Sequence, residues 1–272
     1  MDYHAGDYGL TRSALSVFMT SPEDYYLQYI MRAMPRKQPT TAMDIGTVVH
    51  RILLDRVDFD DAVAVYPSSC LKSDGSLNPK PAAQFRQDNA GLICLKEDKA
   101  ECIRRAVHAA RLSELGPLLG GNYHFEMPVQ AEVFGVQCAC RPDIWGVTEN
   151  KAVIFDLKVM EDDHAGLFHR NAKRLRYWLQ VAHYSRIINA KTGLNVEFKF
   201  FSLRTSPPYR VQSFWYGDSL ENGLRQHAAT LDEYRRCYDS GNWPHKYNQV
   251  LQVEPWDVDC EIEIDGAEEI VL

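Results

Sequence analysis

The sequence predicts an α/β domain in which a central mixed β-sheet is flanked by helices. Three observations predict it: helical patterns dominate the first 115 residues, three strand-like segments follow in succession, and helices then alternate with further strands. This order of elements is typical of a sheet packed between helical layers. With 272 residues, of which 45% are hydrophobic, the chain can bury a substantial core.

Sequence patterns predict several helices in the N-terminal part of the chain. Ser21-Pro22-Glu23-Asp24 is typical of a helix start, with serine as N-cap, proline at the first helical position and acids in the first turn. Apolar residues at helical spacing predict a second helix over 43–55. Prolines and small polar residues indicate a long surface loop over 66–84. A helix over 97–115 should follow, stopped by Gly116-Pro117.

Strand patterns begin after residue 120. We expect strands at 125–134, 136–145, 152–159, 196–203 and 211–216, with a helix over 171–189 between the third and the fourth. Asp218 and Glu221 resemble a capping box that opens a last helix running to 241. We expect one domain over 1–272: a helical part over 1–120, the sheet core over 121–216, and a C-terminal helix and tail over 217–272.

Two aspartates and a lysine mark the strongest candidate site. Asp143 lies at the end of one predicted strand, and Asp156-x-Lys158 lies on the next, after an apolar run typical of a buried strand. Residues two apart on a strand share a face, so both carboxylates and the ammonium should converge at one sheet edge. Carboxylates suit Mg²⁺ or Mn²⁺, and Lys158 could position or deprotonate a water. An ordinary solvated strand face is the alternative, but charges at the end of a buried strand need a partner.

Composition limits the class of protein. A net charge of −7 and a pI near 5.7 argue against a protein that coats nucleic acid by bulk charge, although basic residues cluster locally at Arg170, Lys173, Arg174 and Arg176. For that cluster a solvated helix face is the alternative to phosphate contact. No apolar run approaches the roughly 18–20 residues that span a bilayer, so we expect a cytoplasmic protein without membrane contact.

Seven scattered cysteines without a C-x-x-C pair argue against a disulfide framework and a zinc ribbon. Cys138 and Cys140 come closest to such a pair, and we expect them to be small core residues on one strand face.

The aspartates and the lysine belong to a wider pattern. Pro142-Asp143 with Asp156-x-Lys158 resembles the PD-(D/E)xK nuclease motif. Three further features stand in the order that the RecB/RecE-like branch shows: Gly46-Thr47-x-x-His50, then Glu126, then Gln180-x-x-x-Tyr184. The segment 15–29 and Gly241-Asn242-Trp243-Pro244 are similar to the flanks of RecE-type (exonuclease VIII) phage and prophage nucleases. The resemblance therefore spans nearly the whole chain.

The resemblance implies a restriction-endonuclease-like core and specific residue roles. Asp143, Asp156, His50 and the backbone carbonyl of Leu157 would hold Mg²⁺, or Mn²⁺ as its substitute, while Lys158 would orient the attacking water. Glu126 would complete the catalytic set, with Glu132 on the same strand region as the alternative. Gln180 and Tyr184 would face the metal, and Lys173, Arg174, Arg176 and Tyr177 would contact DNA. The alternatives are a structural histidine at His50, an exposed structural glutamate at Glu126 or Glu132, and core aromatics at Tyr177 and Tyr184.

By the same resemblance the chain would be a Mg²⁺-dependent exonuclease of phage-type DNA recombination. It would resect linear double-stranded ends, 5′ to 3′, for a RecT-like annealing partner, and would assemble as a homo-oligomeric ring. No iron–sulfur cluster of the RecB-like layout is expected, because only Cys237 and Cys260 follow the core. The alternatives are an endonuclease in defence or DNA processing, and a catalytically idle DNA-end-binding or protein-interaction module. The presence of Asp143, Asp156 and Lys158 argues against a catalytically idle module, because an idle site has no need of clustered, costly charges.

Overall fold

The structure, a computed structural model, describes residues 9–34, 41–217 and 220–245. Its α-helices are Arg12–Thr20 (α1), Pro22–Tyr25 (α2), Thr41–Leu53 (α3), Phe59–Ala62 (α4), Pro79–Asp88 (α5), Glu97–Leu112 (α6), Gly116–Gly120 (α7), Ala165–Arg174 (α8), Tyr177–Thr192 (α9) and Leu220–Ser240 (α10). A π-helical turn, Tyr26–Ile30, continues α2, and a 3-10 turn covers Ser68–Cys70. None of the described helices combines the length and the apolar character that crossing a bilayer requires.

The strands form a mixed central sheet and two smaller sheets. They are Leu10–Thr11 (β1), Val63–Val65 (β2), Ile93–Leu95 (β3), His124–Phe125 (β4), Val129–Val133 (β5), Val136–Cys140 (β6), Ile144–Val147 (β7), Lys151–Met160 (β8), Asn195–Arg204 (β9) and Val211–Phe214 (β10). The central sheet has the order β10-β9-β8-β7-β4, parallel between β8 and β9 and antiparallel elsewhere. The two smaller sheets have the strand orders β1-β6-β5 and β2-β3. The predicted α/β fold with a mixed sheet between helices is confirmed.

Strand β8 divides the hydrophobic core into two sides. Ile154 faces the side that holds α9 and the β1-β6-β5 sheet, whereas Leu157 faces the side that holds α3 and α6. Both residues are almost fully buried, and each contributes roughly 1.5–3 kcal/mol through the apolar surface it removes from water. By strand alternation Asp156 and Lys158 share the face of Ile154, as predicted from the sequence. The carboxylate and the ammonium therefore stand between β8 and α9.

Two predicted strands are each split between two sheets. The segment 125–134 divides into β4 and β5, and the segment 136–145 divides into β6 and β7. Pro128 lies in the first break and Pro142 in the second, where a residue without an N–H cannot continue a ladder. The chain thus leaves the central sheet after β4 and returns to it at β7.

Proline and serine also explain two differences among the helices. The stretch 66–84, predicted as a loop, contains the start of α5, because Pro79 occupies its first turn, where a missing N–H costs nothing. Helix α6 ends at Leu112, earlier than predicted, where the Ser113 hydroxyl donates to the carbonyl of Ala110 at 2.8 Å. Gly116-Pro117 opens α7 instead of only stopping α6.

The helix predicted over 171–189 consists of two helices, α8 and α9, that meet at an elbow. Arg176 adopts a left-handed backbone conformation there, with φ of 51°. No glycine or proline marks this break, so the sequence carries no signal for it. The predicted N-cap is confirmed, since Ser21 Oγ accepts from the N–H of Asp24 at 3.1 Å. Asp218, the proposed cap of the last helix, lies outside the described residues.

Cysteine placement agrees with the sequence in the described part of the chain. Cys138 and Cys140 are fully buried on β6, as predicted for small core residues. The six described cysteines are all free thiols, and Cys260 lies outside the described residues.

A buried chain of hydrogen bonds joins α9 and α10 to the three-stranded sheet. Arg186 can only donate, so His227 Nδ1 accepts from it at 3.3 Å. His227 Nε2–H then donates to His183 Nδ1 at 2.9 Å, and His183 Nε2–H donates to the carbonyls of Leu10 and Ala139 at 3.1 and 3.2 Å. Both imidazoles are therefore neutral. Burial lowers the pKa of His183 to about 4 and that of His227 to about 2, the latter with help from the adjacent His183 and Arg186.

We predict that this pair makes the fold acid-sensitive. Folded pKa values below the unfolded value of about 6.5 mean that the stabilisation is complete above pH 6.5 and is lost as the pH falls toward the folded values. His227→Gln keeps an acceptor and a donor, so its unfolding should take up about one proton fewer than wild type. Denaturant unfolding between pH 7 and 4 measures this, with the exposed His169→Gln as control. Equal pH slopes for His227→Gln and wild type would contradict the prediction.

Candidate active site

Strand register brings the two aspartates together. β7 and β8 pair Ile144 with Phe155, so Asp143, one residue before β7, stands beside Asp156. Both are buried, at 8% and 2% exposure. Asp143 Oδ2 accepts from the N–H of Leu157 at 2.6 Å, which fixes the carboxylate and leaves Oδ1 for another partner.

Helix α3 and a left-handed residue add two more ligand-type side chains. His50 Nδ1 lies 3.5 Å from Glu126 Oε1 and 3.8 Å from Asp143 Oδ1. Glu126 has φ of 46° between β4 and β5, and its N–H donates to the carbonyl of Asp143 at 3.1 Å. Glu132, the alternative, is exposed on β5 opposite Gln137. Of the two candidate glutamates, Glu126 is the one beside the aspartates.

The donor set fits a divalent cation. One ligand atom each from His50, Glu126 and Asp143 lies within 4.8 Å of the others. Among the described residues Asp156 Oδ1 is buried without a hydrogen-bond partner, and its counter-charge is Lys158 Nζ at 2.5 Å. Buried oxygens of this kind are the ligands that Mg²⁺ and Mn²⁺ prefer. His50 Nε2 donates to the Leu157 carbonyl at 3.0 Å, so these two expected ligands are bonded to each other, and Nδ1 is the nitrogen that faces the carboxylates.

Burial and the neighbouring charged groups together shift the pKa values of Asp143 and His50. Burial, and then the adjacent Asp156, raise the pKa of Asp143. Burial by itself would lower the pKa of His50, but Asp143 and Glu126 outweigh burial and raise it to about 9. A bound cation would replace these protons, because metal ligands bind in their deprotonated form.

Lys158 is held in place by Asp156 on its own strand and by Gln180 and Tyr177 on α9. Its Nζ donates to Gln180 Oε1 at 2.9 Å, and Gln180 Nε2 donates in turn to Asp156 Oδ2. The ring of Tyr177, one turn earlier on α9, lies 4.8 Å from the ammonium and stacks on Phe200. The first turn of α9 thus fixes the Asp156-x-Lys158 pair from the side opposite His50.

A cavity and an adjoining groove surround the cluster. The cavity, of about 300 Å³, is lined by Arg12, Ser13, His50, Glu126, Arg141, Asp143, Asp156, Lys158, Gln180 and Tyr184. The groove, of about 580 Å³, shares four of these residues and adds Gly46, Thr47, Arg51, Asp55, Leu157, Val159 and Tyr177. Sequence reasoning missed Arg12, Ser13 and Arg141. Arg141 directly precedes Pro142-Asp143 and its position could have indicated it, but nothing local singles out Arg12.

The residues expected to contact DNA occupy different environments. Lys173 and Arg174 are exposed on α8, but neither lines the cavity or the groove. Arg176 Nη1 donates to the carbonyl of Ser16 at 2.9 Å and to Thr20 Oγ1 at 3.2 Å, so it fastens the elbow to α1. Tyr177 is 6% exposed and forms part of the groove wall.

Comparison with known proteins agrees with this geometry. Residues 12–252 match the family described as a PDDEXK-like domain of unknown function (DUF3799). The chain belongs to this PDDEXK-like family. The site therefore lies in a member of the PD-(D/E)xK nuclease superfamily, as the sequence motif predicted. No curated protein matches the PDDEXK-like chain.

Two solved structures resemble this PDDEXK-like chain. A protein from Eubacterium rectale, provisionally named an exonuclease, is 15% identical over 96% of each chain, with a TM-score of 0.59. At this identity the likeness is one of fold. A phage-related exonuclease from Haemophilus somnus 129PT is also 15% identical, over 67% of this chain and 93% of that one, with a TM-score of 0.32.

We predict opposite effects of Asp143→Asn with and without metal. The amide can still accept from Leu157 N–H but carries no charge, so the apo protein should melt at a higher temperature than wild type. The rise in melting temperature that Mg²⁺ or Mn²⁺ gives wild type, worth about 2.7 kcal/mol at a hundredfold excess over Kd, should disappear. Differential scanning fluorimetry with and without metal tests this. Asp239→Asn, at the exposed end of α10, should retain the metal response, and a full metal response in Asp143→Asn would contradict the assignment.

Proposed function

We propose that this PDDEXK-like protein is a divalent-cation-dependent deoxyribonuclease that degrades DNA from linear ends. The observation that carries the proposal is the convergence of Asp143, Asp156, Glu126 and His50 on one cavity, with Lys158 held beside them. Buried like charges are costly and persist where a cation or a charged substrate compensates them. The open groove beside the cavity gives a DNA strand a path to the cluster.

Each residue has a role in phosphodiester hydrolysis. When bound, Mg²⁺ or Mn²⁺ would supply the positive charge that draws in the phosphate and acidifies a water. Asp143, Asp156, His50 and the Leu157 carbonyl would hold it, with Glu126 completing the set. Lys158 would position the attacking water, and Gln180 would keep the Lys158 ammonium oriented. Tyr184, which lines the cavity, would contact the phosphate.

Further detail rests on the RecE-like resemblance of the sequence. It supports 5′-to-3′ resection of double-stranded ends, a 3′ single strand passed to a RecT-like annealing partner, a ring-shaped homo-oligomer, and a role in phage-type recombination. The exonuclease name of the Eubacterium rectale structure agrees with attack at DNA ends. The single-domain organisation over 1–272 stays a prediction as well.

Removing either of the central charges at Asp156 and Lys158 should slow hydrolysis strongly. We expect Asp156→Ala and Lys158→Ala each to lower the rate at least about a hundredfold, because a metal ligand or a water-positioning charge stabilises the transition state by several kcal/mol. Circular dichroism verifies the fold, and single-turnover hydrolysis of a labelled duplex gives the rate. Folded variants with near wild-type rates would remove this site from the mechanism.

Substrate topology separates attack at ends from attack on internal bonds. With Mg²⁺ or Mn²⁺, linear duplex DNA should be degraded progressively, whereas covalently closed circular DNA should survive. Ca²⁺ should bind without efficient turnover, because it tolerates looser geometry. Nicking or linearisation of the circle would instead indicate an endonuclease that uses the same site. Linear duplexes labelled at either the 5′ or the 3′ end then report the direction of digestion.

The exposed basic face of α8 should contribute to DNA affinity. Reversing Lys173 and Arg174 to glutamate should weaken binding equally for unrelated DNA sequences, because phosphate contacts carry no base information. Binding is best measured in Ca²⁺ at several salt concentrations, with Lys158→Ala as the common background. The same reversal of Arg225 and Arg236 on α10 is the control. An unchanged affinity and salt slope in the α8 variant would leave this face as an ordinary solvated helix surface.

A further inference from the structure

Arg12 lies where α1 meets the elbow between α8 and α9. It is the first residue of α1, after the N-cap Thr11. Its Nη2 donates to the carbonyl of Leu175 and lies 3.5 Å from that of Arg176. Arg176 reaches back to the carbonyl of Ser16 on α1. Two arginines thus cross-link the same pair of elements in opposite directions, but only Arg12 also lines the catalytic cavity.

Arg12 differs from the other cationic side chains around the cavity in its hydrogen-bond partners, which are backbone carbonyls and not carboxylates. Arg141 Nε lies 3.0 Å from Glu126 Oε2, Lys158 Nζ pairs with Asp156, and His50 faces Glu126 and Asp143. Within the described part of the chain, no carboxylate lies within 4.0 Å of the Arg12 guanidinium, whose bonds go to backbone carbonyls. Its charge is therefore not neutralised by these neighbours.

The Arg12 guanidinium also contains a buried donor without a partner among the described residues. This donor is the Nε–H of Arg12. Leaving a buried donor unpaired costs about 1–3 kcal/mol or more, so such groups are rare unless a ligand or a functional constraint accounts for them. The elbow carbonyls hold the guanidinium in place although this donor stays unsatisfied. This is expected of a side chain positioned for a ligand with strong acceptors.

We propose that Arg12 contacts a non-bridging oxygen of the phosphate being hydrolysed; the inference rests on the proposed nuclease function. A guanidinium presents parallel N–H donors that match phosphate oxygens. Tyr177, next to the elbow that binds Arg12, touches Lys158, so Arg12 approaches the cluster from the Lys158 side. Arg141 contacts it through Glu126, and His50 contacts it through Glu126 and Asp143. The phosphate would then lie between the cation bound at the carboxylates and the Arg12 guanidinium.

The rival explanation is that Arg12 only fastens α1 to the elbow. A purely structural arginine would change the rate through the position of Gln180 and Tyr177, and would affect every substrate alike. A phosphate contact acts on one particular oxygen. The stereochemistry of a sulfur-substituted phosphate therefore distinguishes the two roles.

The experiment compares Arg12→Gln and Arg12→Lys with wild type on a duplex that carries one stereopure phosphorothioate, Rp or Sp, at the first cleavable bond. Mn²⁺ is the cofactor, because it tolerates sulfur ligands and reduces discrimination by the metal. Single-turnover rates are measured for both isomers and for the all-oxygen duplex. Arg236→Gln, an exposed arginine on α10 paired with Asp232, is the matched control.

We expect Arg12→Gln to cleave the all-oxygen duplex at least about tenfold more slowly than wild type, given the loss of one charged donor to the transition state. Its Rp/Sp rate ratio should move toward one, Arg12→Lys should be intermediate, and Arg236→Gln should behave as wild type. A slower Arg12→Gln with the wild-type isomer ratio, or an unchanged rate, overturns the inference. If Arg12→Gln does not fold, the isomer ratio of Arg12→Lys decides in the same way. Failure of wild type to cleave any DNA would instead overturn the proposed function.

Discussion

The burial of two carboxylates side by side in the central sheet is the constraint around which this structure is organised. Asp143 and Asp156 are brought together by the β7–β8 register and are almost inaccessible to water. Their mutual repulsion and desolvation oppose folding, and the raised pKa of Asp143 records that opposition. Three groups stabilise the buried carboxylates: the N–H of Leu157, the amide of Gln180 and the ammonium of Lys158.

Several of the groups that surround the buried carboxylates come from helices distant in the sequence from β8. Helix α3 brings His50 against β8, and the first turn of α9 brings Gln180 and Tyr177 against the opposite side. Because an elbow separates α8 from α9, the start of α9 depends on what holds the elbow. Arg12 and Arg176 hold it to α1. A helix at the N-terminus of the chain thereby helps to set the geometry of an aspartate-lysine pair more than a hundred residues later.

The acidic composition of the chain is compatible with a nucleic-acid substrate because charge is arranged locally. A net charge of −7 repels DNA on average. Around the cavity, however, cations alternate with the carboxylates, and most are paired within the described residues. A divalent cation at the carboxylates would make the local field more positive. The exposed Lys173 and Arg174 of α8 form a separate basic surface outside the cavity.

The sequence by itself determined the fold class, the buried strand carrying Asp156 and Lys158, and the pattern that identifies the superfamily, because strand alternation and motif spacing are local properties. It also indicated His50, Glu126 and Gln180 as site residues, whereas only the coordinates show that Glu126, and not Glu132, lies beside the aspartates. Tertiary structure alone decided that Arg176 binds α1, that Arg12 lines the cavity, and that 171–189 bends at an elbow. These features depend on hydrogen bonds between residues far apart in the sequence and on the left-handed backbone of Arg176, a non-glycine residue. Neither produces a periodic pattern in the sequence.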